Sequence, residues 1–132
     1  MKYIDKLRNS GLRPTKQRLQ ICEVLFSTEK TFHFTINELE KKIKDKINSK
    51  ISLATLYNTV HAFEKKGYLK QIPINLNQNY FDTNVTDHHH FYDLKDDKLI
   101  DLENSDVGPI NIKRKINGKK IKSIEVLVKL ED

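Results

Sequence analysis

The run Asp87-His88-His89-His90-Phe91, with Asp82 shortly before it, concentrates imidazole and carboxylate side chains in a few residues. Clustered histidines and carboxylates suit a borderline divalent cation. A single cysteine, Cys22, excludes an intrachain disulfide and a CxxC structural zinc staple. Any metal site must therefore use His, Asp and Glu. If the run is a strand, His88 and His90 point to one face and His89 to the other, so one ion does not easily take all three.

The rest of the chain has to position this cluster. Its 132 residues suit one or two small domains and leave little room for a large catalytic cleft. The HExxH helix, nucleophile elbow and Gly-rich phosphate loop are all absent, so the expectation is a binding protein and not an enzyme. A protein that only buffers metal is a further alternative. With no run of 18 apolar residues and no apolar core in Met1-Lys2-Tyr3-Ile4-Asp5, the expected location is cytoplasmic, without a membrane partner. Charge is unevenly spread. Residues 1–80 hold 15 Lys+Arg against 7 Asp+Glu, a net of +8, and residues 81–132 hold 9 against 11, a net of −2. The first part is the candidate polyanion binder, although a solvated Lys-rich surface has the same composition. Lys41, Lys42, Lys44 and Lys46 are expected to form such a solvated face.

Start and stop signals predict three helices in the basic part. Thr15, after Pro14, can cap a helix with Leu19, Cys22, Leu25 and Phe26 inward, ending near Ser27. Thr35 and Glu38 have capping-box spacing before Ile36, Leu39, Ile43 and Ile47. Ser52 can cap a third helix with Leu53, Leu56, Val60 and Phe63 inward, closed by Gly67. A weaker helix is expected over residues 2–9. The polar face of the third helix carries Thr55, Tyr57, Asn58 and His61, which suits base edges and phosphates or is simply solvated. Two strand patterns around an Asn-rich turn follow, with Pro73 confining its strand to an edge. Helices followed by a β-hairpin predict an α+β chain that opens with a winged helix-turn-helix.

Three motifs, Leu12-Arg13-Pro14-Thr15-Lys16-Gln17-Arg18-Leu19, residues 51–60 and Tyr80-Phe81-Asp82 through Tyr92, resemble the ferric uptake regulator superfamily. The histidine run is similar to its iron response regulator branch. The resemblance implies a homodimeric regulator of iron or haem homeostasis, with a winged-helix domain at residues 1–83 and a small α/β dimerisation and sensing domain at 84–132. It implies a double-stranded DNA operator as partner, and haem or a divalent metal (Fe2+, Mn2+ or Zn2+) as cofactor. In the haem reading, exposed imidazoles of His88, His89 and His90 ligate the iron beside Phe91 and Tyr92, and haem or iron sensing is preferred over a permanent structural zinc. The alternative is a repressor activated by metal without haem. By the same resemblance His33, Asp82, His89 and Asp101 form a regulatory metal site, and His88 and His90 belong to a second. Alone, His33 between Phe32 and Phe34 reads as a buried structural histidine before it reads as a ligand.

On the DNA side, Arg13 and Arg18 are expected near phosphates or the minor groove, Ser52 and Thr55 at phosphates, and Tyr57 and Asn58 at base edges. Many members of the superfamily carry Arg where this chain has Asn58, and Asn favours adenine. In the second part, His88 to Leu94 and Lys98 to Leu102 read as a hairpin, and Ile124, Val126, Val128 and Leu130 alternate as a final strand. Leu127 makes that strand apolar on both faces, which calls for cover by a second copy or a helix. Any helix between residues 103 and 117 should be short or broken, given Val107-Gly108-Pro109 and Asn117-Gly118.

Overall fold

The computed structural model describes residues 2–76 and 78–132. It divides the chain into two compact units, Met1–Val85 and Thr86–Asp132. The division falls two residues beyond the expected one.

The first unit is helical and closes on its own core. Helices α1 (Lys2–Asn9), α2 (Lys16–Phe26), α3 (Ile36–Ile47) and α4 (Leu53–Lys66) surround a cluster that includes Leu7, Ile21, Leu39, Leu56 and Phe63. Each of the last three begins at a side-chain cap. Thr15 Oγ1 accepts from the Arg18 amide at 3.3 Å, and Ser52 Oγ accepts from the Thr55 amide at 3.2 Å. At α3 the capping box is complete, with Glu38 Oε1 accepting from the Thr35 amide at 2.9 Å. These bonds satisfy amides that the first helical turn leaves without carbonyl partners. Gly67 ends α4 at φ 93°, a left-handed conformation that costs least in glycine.

The buried faces differ from the expected stripes at three positions. Leu53 is 41% exposed, because it is the first residue of α4 and lies before the packed turn. Ile21 and Val24 are buried on α2, where the apolar face is wider than the expected stripe. After α4, strands β2 (Lys70–Pro73) and β3 (Asn79–Asp82) form an antiparallel hairpin, and β3 also pairs with the two-residue β1 (His33–Phe34). Pro73 lies on the edge strand, where its missing N–H disrupts no inner ladder. Thr83 extends the β1 contact by donating its amide to Phe32 O at 3.0 Å.

The second unit is a three-stranded sheet with β4 (His89–Asp93) in the middle. Strand β5 (Lys98–Leu102) is antiparallel to it and β6 (Leu127–Leu130) is parallel. The β4–β5 turn is held by Asp93 Oδ1, which accepts from the amides of Lys95 at 2.9 Å and Asp96 at 3.1 Å. The final strand starts three residues later than its apolar alternation suggests. Between β5 and β6 the described helical structure is one short 3-10 turn, Asn104–Asp106. No helix of the described residues is long and apolar enough to cross a membrane.

Candidate metal centre

The pairing of β4 with β5 assembles the cluster. His90 is the register partner of Asp101, so their side chains share a face of the sheet, and His88 joins them two residues earlier. His90 Nε2 lies 3.2 Å from Asp101 Oδ1, and His88 Nε2 lies 3.7 Å from the same oxygen. The two imidazole rings are 4.4 Å apart between centroids. Ligand atoms of all three residues fall within 4.8 Å of one another. Tyr92 and Leu99, also register partners, bury the floor of this face.

Each histidine has a distinct attachment. His88 Nδ1 stands 2.8 Å from the Thr86 carbonyl oxygen, which can only accept, so Nδ1 carries a proton and, in the neutral ring, Nε2 is the nitrogen with the free lone pair. That nitrogen faces His90 and Asp101. A backbone carbonyl fixing the far nitrogen of a ligating imidazole is the usual support of a metal-bound histidine. His89 points to the opposite face, where its Nδ1 accepts the Val126 amide at 2.9 Å. It pins β6 beside β4. The expected grouping is thus corrected: Asp101 belongs with His88 and His90, not with His89. The hairpin register decides this: the observed pairing of Asp93 with Lys98 sets His90 opposite Asp101.

The remaining candidate ligands lie in the first unit. His33 and Asp82 are register partners on β1 and β3, with Asp82 2% exposed and its Oδ1 accepting the Asn84 amide at 2.8 Å. His33 is half-buried, its ring edge-on to Tyr80 at 5.7 Å. The donor set His88, His90 and Asp101 fits a divalent ion of borderline hardness, with two nitrogens and one carboxylate converging on one point. It fits haem less well. The imidazoles expected to be exposed are buried, at 9%, 9% and 4% for His88, His89 and His90, so a porphyrin plane finds no open face.

The expected DNA-facing residues lie on the first unit. On α4, Tyr57 is 46% exposed and Asn58 is exposed. The Tyr57 ring stacks on His61 at 5.9 Å, and His61 meets Phe81 edge-on at 5.7 Å, which holds this polar face to the sheet. Ser52 and Thr55 are joined through their hydroxyls at 3.0 Å at the helix start. Arg13 is exposed, and Arg18 Nη1 donates to the Arg13 carbonyl at 2.9 Å. Cys22 is fully buried and burial pushes its thiol up to about 11, which makes it a core residue without thiolate reactivity. Lys42 is not purely solvated: its ammonium sits 3.4 Å from the Phe32 ring centroid, and loss of hydration there lowers its pKa.

The chain is similar to known proteins in sequence and in fold. The sequence profile described as the ferric uptake regulator family matches residues 9–129. A peroxide-responsive repressor, PerR, from Staphylococcus epidermidis is 33% identical over 99 residues, which cover 75% of this chain and 64% of that protein. The match thus spans less than two thirds of that relative's length. Among solved structures, the manganese-bound ferric uptake regulator of Pseudomonas aeruginosa superposes with a TM-score of 0.69 at 18% identity, covering 100% of this chain and 98% of that one. The Vibrio cholerae ferric uptake regulator gives 0.71 at 20% identity, covering 98% of each. Those two likenesses establish a shared fold. With the profile running through the caps of α2, α3 and α4, the β2–β3 hairpin and the histidine-bearing strand, the chain belongs to the ferric uptake regulator family.

Proposed function

We propose that the protein is a metal-responsive, dimeric transcriptional regulator that binds double-stranded operator DNA. One observation carries the sensing half: two buried imidazole nitrogens and the exposed Asp101 carboxylate converge within 4.8 Å on the β4–β5 hairpin and the residue before it, with His88 oriented by a backbone carbonyl. His88, His90 and Asp101 would hold Fe2+, Mn2+ or Zn2+, and His33 and Asp82 are proposed as further ligands from the first unit. Only five residues separate Asp82 from His88, so the chain itself keeps the two sets within about 20 Å. An ion that took ligands from both units would restrict their orientation, and with it the spacing of two recognition helices on successive major grooves. The bound ion would supply positive charge and coordination geometry. The residues supply everything else: Thr86 O and the β4–β5 register hold the donors in place.

The first unit reads DNA as a winged helix in this proposal, with Arg13, Arg18, Ser52 and Thr55 at phosphates and Tyr57 and Asn58 at bases. The second unit pairs with a second copy, covering Ile100 and Val128, which are 39% and 36% exposed. The similarity to peroxide-responsive repressors supports a second input, peroxide. With Cys22 buried and its thiol unreactive, that input would act at a redox-active ion on the histidine site.

The test is fluorescence anisotropy of an AT-rich duplex with Mn2+ titrated in. The protein should bind more tightly as Mn2+ is added, and H88A/H90A should lose this response by at least about tenfold in affinity. Haem weakening DNA binding of the parent, with Mn2+ inert, would overturn the metal reading in favour of the haem one. Salt-dependent binding that ignores both ligands would reduce the protein to a constitutive DNA binder.

A further inference from the structure

Charge in the second unit is segregated. Residues 107–123 carry six basic side chains, Lys113, Arg114, Lys115, Lys119, Lys120 and Lys122, and no Asp or Glu, while the rest of residues 86–132 holds 3 Lys+Arg against 10 Asp+Glu. Every residue from 108 to 123 is exposed, and among them the described structure has only a turn at Asn117-Gly118. The candidate metal cluster uses none of these side chains.

The segment has the pattern of a hairpin without its ladder. Lys119 donates its amide to Ile116 O at 3.1 Å, closing a turn in which Gly118 has φ 75°. Asn117 is not among the residues with positive φ, so the turn has the type II form, whose twist splays flanking strands where a type I′ turn would align them. Pairing across this turn would also set Lys115 opposite Lys120 and Lys113 opposite Lys122. Like charges directly opposite destabilise a strand pair. The same four lysines would lie on one face, with Ile112, Ile116 and Ile121 on the other. A polyanion would relieve the repulsion that keeps the two arms apart.

We infer that residues 110–123 form a basic arm that binds the phosphate backbone of duplex DNA, adding a sequence-independent contact to that of α4. The inference rests on the regulator reading above. Each cation placed on a phosphate releases counterions and steepens the salt dependence of binding by about 0.9 in the log–log slope.

The experiment measures that slope for the full chain, with Mn2+ present, on one AT-rich duplex between about 50 and 200 mM NaCl. Three proteins are compared: the parent, a variant with all six positions changed to Gln, and a charge-keeping variant with the five lysines changed to Arg. The Gln variant should have a slope shallower by about 3 to 5, and the Arg variant a parental one. The response to Mn2+ should survive in both, since neither change touches the histidine site. A Gln variant with the parental slope overturns the arm and leaves the regulator reading standing. A parent that fails to bind the duplex removes the regulator reading and the arm's DNA role together. Loss of binding to anionic lipid vesicles in the Gln variant, at unchanged DNA slope, would overturn the DNA assignment in favour of a membrane surface.

Discussion

The two units bury different kinds of side chain. In the first, helices and sheet close over eighteen buried apolar residues among those described, and a 14-residue helix with caps at both ends fixes the exposed polar face. In the second, the buried apolar residues described are Tyr92, Leu99 and Leu102, matched in number by His88, His89 and His90. A core that is half imidazole gains less hydrophobic stabilisation than an apolar one of the same size, so a ligand on the imidazoles would add a larger share of its stability. The first unit is a scaffold that presents a surface. In the proposed reading the second is a ligand-binding device whose stability would be coupled to its ligand.

The largest expected effect breaks the scaffold side of this contrast. Phe63→Ala removes a fully buried ring at the centre of the helical core and should cost about 3–5 kcal/mol, read from the urea midpoint of far-UV circular dichroism. An effect under about 1 kcal/mol would mean that the first unit does not depend on this packing.

Next comes the ligand side. Mn2+ at about 100 times its Kd should stabilise the second unit by about 2.7 kcal/mol, and His90→Gln should abolish the gain without lowering the stability of the first unit. Thermal unfolding with and without Mn2+ reads both. Equal stabilisation of parent and variant would place the ion elsewhere.

The smallest effect at neutral pH concerns Cys22. Burial raises its thiol to about 11 from an ordinary value near ~8.5. The unfolded thiol therefore ionises first. Its contribution to stability is fully present below about pH 8.5 and is lost as pH rises towards 11. Native protein at pH 8 should resist iodoacetamide, and alkylation should follow unfolding. Rapid labelling of folded protein would show that the thiol is accessible and would reopen a thiolate role.

Legibility followed the range of the interactions. Thr15, Thr35, Ser52 and Gly67 were readable because a cap joins residues within one turn of each other, and the capping box at Thr35 and Glu38 is present as its spacing suggested. The edge position of Pro73 was readable for the same local reason. Leu53 was misread because helical periodicity does not say where along a helix the packing begins. His33 pairing with Asp82 across nearly fifty residues had no local signal at all.

The sequence by itself determined the element types, the ligand chemistry and the charge of the basic half, since each depends on residue identity and near neighbours. Tertiary structure alone decided which ligands meet. Alternation along β4 separates His89 from His88 and His90, but Asp101 joins a face only through the register of a second strand, set by the turn that Asp93 closes. One residue of slip would have sent Asp101 to the side of His89. Burial of the three histidines was likewise decided by the fold, because exposure depends on strands β5 and β6 arriving from elsewhere in the chain.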